Sequence, residues 1–397
     1  MIKKFDHQIG VGGLILSDYE KQLVNEVLDS NRLTYGPMTK RFEREFAKSH
    51  KVKHALFMNS GTSALHVALS ALKDRHGWTD GDEIIIPAVT FVATANIVLH
   101  NNMNPVFVDV EPDTYNINPN KIEEKITART RAIIPVHLLG LPATMQPILK
   151  IAKKYRLQII EDSAECMFAK YQGQSVGSMG SVGCFSTYLA HLIVTGVGGL
   201  ATTNSSELAV DMRSLMNHGR DGIYISSTDD VGLEGKALDE VVERRFSFIH
   251  VGHSMRCTEM EAALGVGQLA KSKKIVKRRQ DIAATLTQGL EEFEDRIQLP
   301  SCPADRTHSF MLYGIVLKHE NKRKLVNHLE HINVETRDLL PLINQPIYKR
   351  LYGNLEHKYP VARHINEAGF YIGCHPYMID DEVGFIIEAF RNFFQNN

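Results

Sequence analysis

A short run of small and hydroxylated residues forms a candidate anion site early in the chain. Asn59-Ser60-Gly61-Thr62-Ser63 follows a β-rich run and precedes a helical pattern. Glycine lets the backbone approach a ligand closely, and the free N–H groups at the start of a helix attract negative charge. An ordinary Ser or Thr helix cap would use the same residue types, so the motif alone leaves both interpretations open.

Two adjacent acids end another β-rich run farther along the chain. Glu161 and Asp162 follow two isoleucines, and ligands of open α/β sheets bind beyond the carboxyl ends of the strands. These carboxylates could serve a metal, act as a base or face a cationic ring, or they could cap a helix. Ser186 ends the next run, where its hydroxyl could join the anion site.

Other candidate motifs are weaker. The glycine-rich segments 196–201 and 265–270 resemble a loose dinucleotide fingerprint, but neither opens the first strand–helix unit, so no dinucleotide site is predicted. The five cysteines are scattered, and two histidine pairs with i, i+3 spacing have no third ligand in view, so no metal site is predicted. The pairs are His250 with His253 and His328 with His331.

The elements that must position these residues alternate along the first half of the chain. Helical patterns at 63–72, 94–100, 119–125 and 145–155 lie between several of the β-rich runs at 54–58, 83–87, 105–110, 131–137, 158–162, 183–187 and 199–203. The early runs are apolar on successive residues, which is typical of strands buried on both faces of a parallel sheet. This order predicts an α/β fold with a mostly parallel sheet.

A polar, charge-rich segment at 226–245 marks a candidate domain boundary. We predict a large α/β domain over 1–245 and a small C-terminal α+β domain over 246–397. The second part begins with a long amphipathic stretch at 258–293. It ends in a predicted helix at 380–394, where Val383, Ile387 and Phe390 share one face.

The composition excludes several classes of partner. The 45 basic and 46 acidic residues give a formal charge of −1, which offers no electrostatic case for nucleic acid or an anionic membrane surface. With 43% hydrophobic and 23% charged residues, the chain has the mixture of an ordinary globular protein. Scattered cysteines and an N-terminus without an apolar stretch predict a cytoplasmic protein that has no membrane span.

Several motifs, taken in order and spacing, resemble the DegT-type sugar aminotransferases that depend on pyridoxal 5'-phosphate (PLP). The resemblance covers nearly the whole chain. It implies an aspartate-aminotransferase-type (fold type I) enzyme and a homodimer with active sites at the subunit interface. The motifs are Tyr35-Gly36-Pro37, residues 60–65, residues 87–91, Glu161-Asp162, Phe185-Ser186 and residues 252–256.

The resemblance implies roles for the residues singled out above. Gly61, Thr62 and Ser186 would hold the cofactor phosphate, and Phe91 would stack on the pyridine ring. Asp162 would pair with the pyridinium nitrogen, whose protonation makes the ring an electron sink.

Further roles follow from the same resemblance. Glu165 stands where relatives often carry His or Gln near the ring hydroxyl. Ser254 stands where many carry an Asn that reaches the phosphate of the partner subunit, so this chain departs from the family pattern there. Arg220, Arg256 and Arg337 are candidates for binding a donor carboxylate or a diphosphate.

One position departs from the family's aminotransferases. Those enzymes carry a lysine, bonded covalently to the cofactor, five residues before the glycine-rich turn, but this chain has His191 there and no lysine anywhere from Tyr171 to Gly235. Imidazole can move protons near neutral pH but cannot form a stable imine with an aldehyde. One subgroup makes the same exchange, the NDP-4-keto-6-deoxyhexose 3-dehydratases.

The resemblance to this subgroup predicts an enzyme of deoxysugar and surface-polysaccharide biosynthesis. It would use the amine form of the cofactor (PMP) to remove the C3 hydroxyl of a nucleotide-linked 4-keto-6-deoxy sugar, with glutamate as amino donor. His191 would carry the protons, and His218 would orient or tune it. The alternatives are an aminotransferase with His191 as proton shuttle, and a non-catalytic homologue or a Lys→His variant of an aminotransferase.

Overall fold

A seven-stranded sheet lies at the centre of the computed structural model, which describes residues 3–222 and 230–395. The first nine strands, of which β6 and β7 form a separate hairpin, are β1 (His54–Met58), β2 (Glu83–Pro87), β3 (Asn104–Val108), β4 (Thr130–Ile133), β5 (Gln158–Asp162), β6 (Lys170–Tyr171), β7 (Gln174–Ser175), β8 (Val182–Ser186) and β9 (Gly199–Thr203). The central order is β1-β9-β8-β5-β4-β2-β3. Strand β9 pairs antiparallel with β1 and β8, and the other four pairings are parallel, which confirms the predicted mostly parallel sheet.

Helices cover this sheet, as expected for strands that are apolar on successive residues. Strands β8 and β9 are buried along their whole length, with helix α3 packed on both. The helices of this part of the chain are α1 (Asp18–Ser30), α2 (Pro37–His50), α3 (Gly61–His76), α4 (Val92–His100), α5 (Met145–Tyr155), α6 (Ser206–Leu215) and α7 (Gly235–Arg244).

Two predicted elements differ from the observed ones. The segment 119–125 forms two 3-10 turns, Pro119–Lys121 and Glu123–Lys125, instead of an α-helix. The backbone N–H groups of Lys121, Ile122 and Lys125 donate to carbonyls three residues earlier, so the segment closes as 3-10 turns. The run predicted at 131–137 is shorter, since β4 ends at Ile133 and Pro135 has no backbone N–H to donate to a neighbouring strand.

The C-terminal part builds a second, antiparallel sheet of four strands. Its order is β10-β11-β13-β12. The strands are β10 (Ile297–Gln298), β11 (Leu312–Leu317), β12 (Thr336–Asp338) and β13 (Gly369–Gly373), and the helices are α8 (Glu259–Ala270), α9 (Ser272–Leu290), α10 (Lys322–His331), α11 (Pro346–Tyr352), α12 (Pro360–Ala368) and α13 (Asp380–Gln395).

The predicted domain boundary at 245 stays a prediction. Helix α7 occupies half of the polar segment 226–245, of which residues 226–229 lie outside the described part of the chain. The amphipathic stretch 258–293 is two helices, α8 and α9, that meet at Lys271. Helix α8, beyond the boundary, packs on α1 and α2 from the beginning of the chain.

Two glycines bring the elements of the candidate site together. A Cβ on Gly61 would lie 2.7 Å from the Cβ of Ser186, and one on Gly199 would collide with the backbone of Ser60 and Gly61. The start of α3 therefore touches the carboxyl end of β8 and the start of β9. This contact places the motif 59–63 next to Ser186.

Two structural features, a membrane-spanning helix and a cluster of metal ligands, are absent from residues 3–222 and 230–395. None of the helices there combines the length and the apolar character needed to cross a membrane. The same residues bring together no group of three or more His, Cys, Asp or Glu side chains that could hold a metal ion.

Candidate active site

A cavity of about 400 Å³ opens beyond the carboxyl ends of β5 and β8 and beside the start of α3. Residues from the whole length of the chain line it, from Val11 to Tyr371. Seven of the residues that the sequence singled out share this cavity. They are Gly61, Thr62, Phe91, Asp162, Glu165, Ser186 and His191.

The start of helix α3 forms a cradle suited to an anion. The Ser60 side chain accepts the backbone N–H of Ser63 at 3.0 Å and so caps the helix. The N–H groups of Gly61 and Thr62 belong to the first turn, where no intrahelical acceptor is available. Because Ser60 does the capping, the cap and the anion site are compatible, and a side chain at position 61 would fill the space beside Ser186.

The two adjacent acids at the end of β5 have different environments, because successive side chains of a strand point to opposite faces. Glu161 is fully buried, and its carboxylate accepts backbone N–H groups of Gly177, Met179 and Gly180 at 2.6 to 2.8 Å. His137 Nε2 lies 3.0 Å from the same carboxylate. These contacts occupy Glu161 and give it a structural role.

Asp162 faces the cavity. Its Oδ2 accepts the hydroxyl of Thr94 at 2.8 Å, and its Oδ1 accepts the backbone N–H of Ala164 at 3.2 Å. Burial raises the pKa of this carboxyl, while its hydrogen bonds act in the opposite direction. A positively charged ligand group beside Asp162 would compensate the buried charge.

Glu165 is a second buried acid on the cavity wall. Its Oε2 accepts the backbone N–H of Leu139 at 2.8 Å. Burial, together with the nearby charge of Asp162, raises the pKa of Glu165 to about 7. Near neutral pH this carboxyl can therefore either donate or accept a hydrogen bond to a ligand.

An aromatic ring stands at the cavity mouth. Phe91 precedes helix α4, and 59% of its surface is exposed although the ring lines the cavity. An exposed aromatic face can stack on a planar ligand. Tyr188 also lines the cavity and is 55% exposed.

His191 lines the cavity in a fixed tautomer. Its Nδ1 lies 3.1 Å from the backbone carbonyl oxygen of Ser186, and because a carbonyl only accepts, Nδ1 carries the hydrogen. The free lone pair is then on Nε2. Burial lowers the pKa of His191 to about 4, and the charge of Arg279 adds to the effect. The imidazole is thus neutral at physiological pH and can accept a proton.

Three other predicted site residues lie outside the cavity lining. His218 is exposed, and its backbone N–H donates to the carbonyl of His253 at 2.8 Å. The exposed Arg256 donates to the hydroxyl of Ser254 at 3.3 Å. Their predicted roles stay predictions, and within this chain His218 makes no hydrogen bond with His191.

The two remaining arginines also lie outside the lining. Arg220 donates to the carbonyl of Arg245 at 2.6 Å, and its guanidinium lies over the rings of Phe246 and Phe248. Arg337 is exposed and pairs with Glu335. It is the cross-strand partner of Tyr371, which lines the cavity. Arg337 is therefore connected to the cavity through the pairing of β12 with β13.

Several cavity residues were not predicted from the sequence. Thr94 supports Asp162, and Leu340, Met311 and Leu312 add an apolar wall from the C-terminal sheet. Their residue types are ordinary core types, so no sequence signal marks them. Tyr371 belongs to a run, 371–375, whose resemblance to the dehydratase subgroup is the one signal that points to it.

Comparisons with known proteins agree with this geometry. The model of the DegT/DnrJ/EryC1/StrS aminotransferase family matches residues 15–391. The chain is 31% identical over 384 residues to the GDP-perosamine synthase of Escherichia coli O157:H7, which covers 96% of this chain and 97% of that protein. It is 30% identical over 395 residues to the dTDP-4-dehydro-2,6-dideoxy-D-glucose 3-dehydratase of Saccharopolyspora spinosa, covering 96% and 85% of the two chains.

A solved structure resembles the chain over almost its full length. It is the E. coli GDP-4-keto-6-deoxy-D-mannose-3-dehydratase with bound hydrated PLP, with a TM-score of 0.87 and 25% sequence identity. The match covers 96% of this chain and 100% of the other.

Proposed function

The chain belongs to the DegT/DnrJ/EryC1/StrS aminotransferase family, and we propose that it removes the C3 hydroxyl of a nucleotide-linked 4-keto-6-deoxy sugar. The predicted family and fold type I class are confirmed, as is the predicted cofactor, pyridoxal or pyridoxamine phosphate. The outcome of the reaction, removal of the C3 hydroxyl, is the proposed step.

The cavity fits the cofactor. Gly61, Thr62 and Ser186 would hold its phosphate, because the open cradle at the start of α3 presents N–H groups beside a hydroxyl. Asp162 would hold the ring nitrogen, and Phe91 would stack on the ring. When bound, the cofactor supplies an electron sink for bonds next to its amine-bearing carbon.

One observation carries the proposal: His191 lines the cavity where the family's aminotransferases have a lysine. No lysine is among the described residues that line this cavity. A lysine would compete for the bound sugar by bonding to the cofactor itself. An imidazole cannot do so, which leaves hydrolysis as the way out for the product.

His191 also has the form that the reaction requires. With Nδ1 bound to the carbonyl of Ser186, Nε2 is the atom that takes up a proton and returns it to the departing C3 hydroxyl. The low pKa of His191 keeps this atom unprotonated before the reaction and makes its protonated form a stronger acid than an ordinary imidazolium.

The substrates and the assembly are part of the proposal. Relatives named as GDP-perosamine synthase and dTDP-sugar dehydratase support a nucleotide sugar as substrate, and glutamate as the amino donor would restore the amine form of the cofactor. We propose a cytoplasmic homodimer, in which the partner subunit covers the exposed Phe91 and Tyr188. Arg256, Arg337 and Ser254 would then take part in binding phosphate or carboxylate groups.

The proposed reaction is tested by product analysis. The purified protein is incubated with a panel of 4-keto-6-deoxy sugar nucleotides, PLP and glutamate, and the products are analysed by mass spectrometry. The proposal requires a 3-deoxy sugar and an equal amount of free ammonia. A sugar that retains nitrogen would overturn it.

An aminotransferase that uses His191 as proton shuttle is the second candidate. The 31% identity to a GDP-perosamine synthase favours it. Such an enzyme would leave an amino sugar and release no ammonia, so the same assay separates the two reactions. A protein that neither binds PLP nor reacts with glutamate would instead be a non-catalytic homologue.

A further inference from the structure

Arg279 of helix α9 is a buried cation held by backbone carbonyl groups. Its long side chain is fully buried, with 1% of its surface exposed. Its Nη1 donates to the carbonyls of Met311 at 2.7 Å, Cys374 at 2.9 Å and Phe310 at 3.3 Å. Its Nη2 donates to the carbonyl of His191 at 3.1 Å.

No carboxylate is among the hydrogen-bond or ion-pair partners of Arg279 in the described part of the chain. Burial lowers the pKa of Arg279 to about 10, so the guanidinium is still charged at neutral pH. A buried charge without a counter-ion is costly unless its donors are satisfied. Four carbonyl contacts satisfy two of its nitrogens, while Nε has no partner.

The four carbonyls belong to three segments that converge on the cavity. Met311 lines the cavity just before β11, and Cys374 follows directly after β13, which carries the cavity-lining Tyr371. His191 lies on the loop that follows β8. A single side chain therefore connects the loop of the proton carrier with two strands of the C-terminal sheet.

The charge of Arg279 also acts on the imidazole. It lowers the pKa of His191, after burial, which is the larger cause. Among the described residues, the other titratable groups on the same cavity are Tyr188, on the loop of His191 itself, Tyr371 of β13, and the carboxyls of Asp162 and Glu165. His375, which follows Cys374, is likewise neutral because burial and Arg279 lower its pKa to about 4.

We propose that Arg279 is the positioning residue of His191. It fixes the backbone of the His191 loop and places next to that loop a positive charge that has no carboxylate partner among the described residues. This inference rests on the proposed function for the catalytic meaning of His191, but the placement and charge state of His191 can be measured without turnover.

The test compares Arg279→Met with Arg278→Met in the full-length protein. Arg278 is the adjacent residue of the same helix, partly exposed and bonded to Asp380 and the carbonyl of Met378, so it is a matched control. Neutral imidazoles react with diethyl pyrocarbonate, and mass spectrometry of the peptide that contains His191 gives its rate of modification at each pH. The pH of half-maximal rate reports the charge state of His191 without any bound cofactor.

We expect Arg279→Met to move this midpoint to higher pH and to raise the limiting rate, because the loop is released and the charge is lost. Arg278→Met should leave both unchanged. Arg279→Lys keeps the charge but loses the two donor nitrogens of the guanidinium. The pH midpoint of modification should therefore stay near the native value, while the limiting rate of modification rises. Native midpoint and rate in Arg279→Met would overturn the proposal.

Turnover distinguishes this proposal from the proposed function. If His191 carries the proton, Arg279→Lys should lower kcat about tenfold to a hundredfold with KM little changed, since small misplacements of a reacting group cost that much. If His191→Asn leaves the reaction unchanged, the proposed function fails, while the modification experiment still decides whether Arg279 positions His191. Should Arg279→Met fail to fold, the Arg279→Lys variant decides alone: an unchanged limiting rate would overturn the proposal.

Discussion

At the residue scale, the proposed function depends on His191, which has an imidazole where the family's aminotransferases have the amine of a lysine. The replacement changes what the side chain can do, from bonding with an aldehyde to moving protons. The contact of Nδ1 with the Ser186 carbonyl fixes which nitrogen is free. A lysine at the same position would lie in the same cavity, so the chemistry of this position can be tested directly.

Borohydride reduction should separate the two side chains. The native protein, loaded with PLP, should release the cofactor on denaturation after reduction, because no side chain is bonded to it. His191→Lys should retain the cofactor covalently, as measured by mass spectrometry of the intact chain. His331→Lys, at an exposed position on α10, serves as the control and should remain unlabelled. Labelling of the native chain at any lysine would contradict the prediction.

Asp162 offers a second residue-scale prediction. Replacing Asp162 with Asn keeps the shape but removes the negative charge that would hold a protonated ring nitrogen. We expect the half-reaction of bound PLP with glutamate to slow about a hundredfold or more, as when a preorganised charge partner is lost. Stopped-flow absorbance of the cofactor measures this rate. Asp113→Asn is the control, and an unchanged rate in Asp162→Asn would remove Asp162 from the site.

At the scale of elements, Glu161 connects strand β5 with the loop that precedes β8. Its carboxylate is the acceptor for three backbone N–H groups, so a neutral amide would leave at least one of these donors without an acceptor. We expect Glu161→Gln to lower the free energy of unfolding by about 2–3 kcal/mol. Urea denaturation followed by circular dichroism gives the value.

Glu124→Gln is the control for this measurement. Glu124 is exposed and makes one ion pair with Lys125, so its replacement should change the free energy of unfolding by less than about 0.5 kcal/mol. Equal effects of the two substitutions would show that the buried contacts of Glu161 do not stabilise the strand.

The elements also show how far the sequence can predict this fold. The runs at 54–58, 83–87, 158–162 and 199–203 coincide with strands, because a run buried on both faces is apolar on successive residues. The segment 119–125 was predicted wrongly as a helix, because its local pattern does not distinguish an α-helix from two consecutive 3-10 turns. That residues 60–62 and Asp162 would lie at one edge of the sheet was predictable because they follow or end recognisable strands.

The rest of the site could not be predicted from local patterns. Arg279 contacts a carbonyl 88 positions away, and Tyr371 reaches the cavity only through the pairing of the C-terminal strands. Such contacts depend on how two sheets meet, which no short window of sequence contains. Glu161 shows a different limit of prediction from sequence. A glutamate is a residue type that suits a functional site, but the side chain lies on the face of the strand that points into the protein interior.

At the scale of the whole molecule, several histidines are buried or partly buried in the neutral form. Their pKa values fall from 6.5 to about 4, or about 3 for His308, because burial disfavours the charged imidazole. These histidines are His50, His66, His191, His308 and His375. In the unfolded chain they would be protonated below pH 6.5, so unfolding takes up protons between about pH 6.5 and 4.

The free energy of unfolding should therefore fall as the pH falls through this window. Glu165 and Asp162 act in the opposite direction, because their raised pKa values mean that the folded chain holds these protons more tightly. Five histidines outnumber these two acids, so a net loss of stability is expected. Urea denaturation of the cofactor-free protein at several pH values measures the slope.

His50→Phe provides the matched variant for this slope. His50 stacks on Phe46 with ring centroids 4.2 Å apart, and its Nε2 has no hydrogen-bond partner, so phenylalanine can keep the packing while removing the titration. We expect the slope to decrease by up to about 1.4 kcal/mol per pH unit, which corresponds to one proton. A stability that does not depend on pH in the native protein would contradict the prediction.

The close contact between Gly61 and Gly199 limits which residues these two positions can carry. Alanine at either position would push two elements apart. At position 199 the obstacle is main chain, which no change of side chain removes, whereas at position 61 the nearest obstacle is the Cβ of Ser186, so loss of that side chain would be needed to make room. A library randomised at both positions and selected for retention of the coenzyme should return glycine twice. Substitutions of these two glycines are thus disfavoured where the elements meet, whichever sugar such a protein accepts.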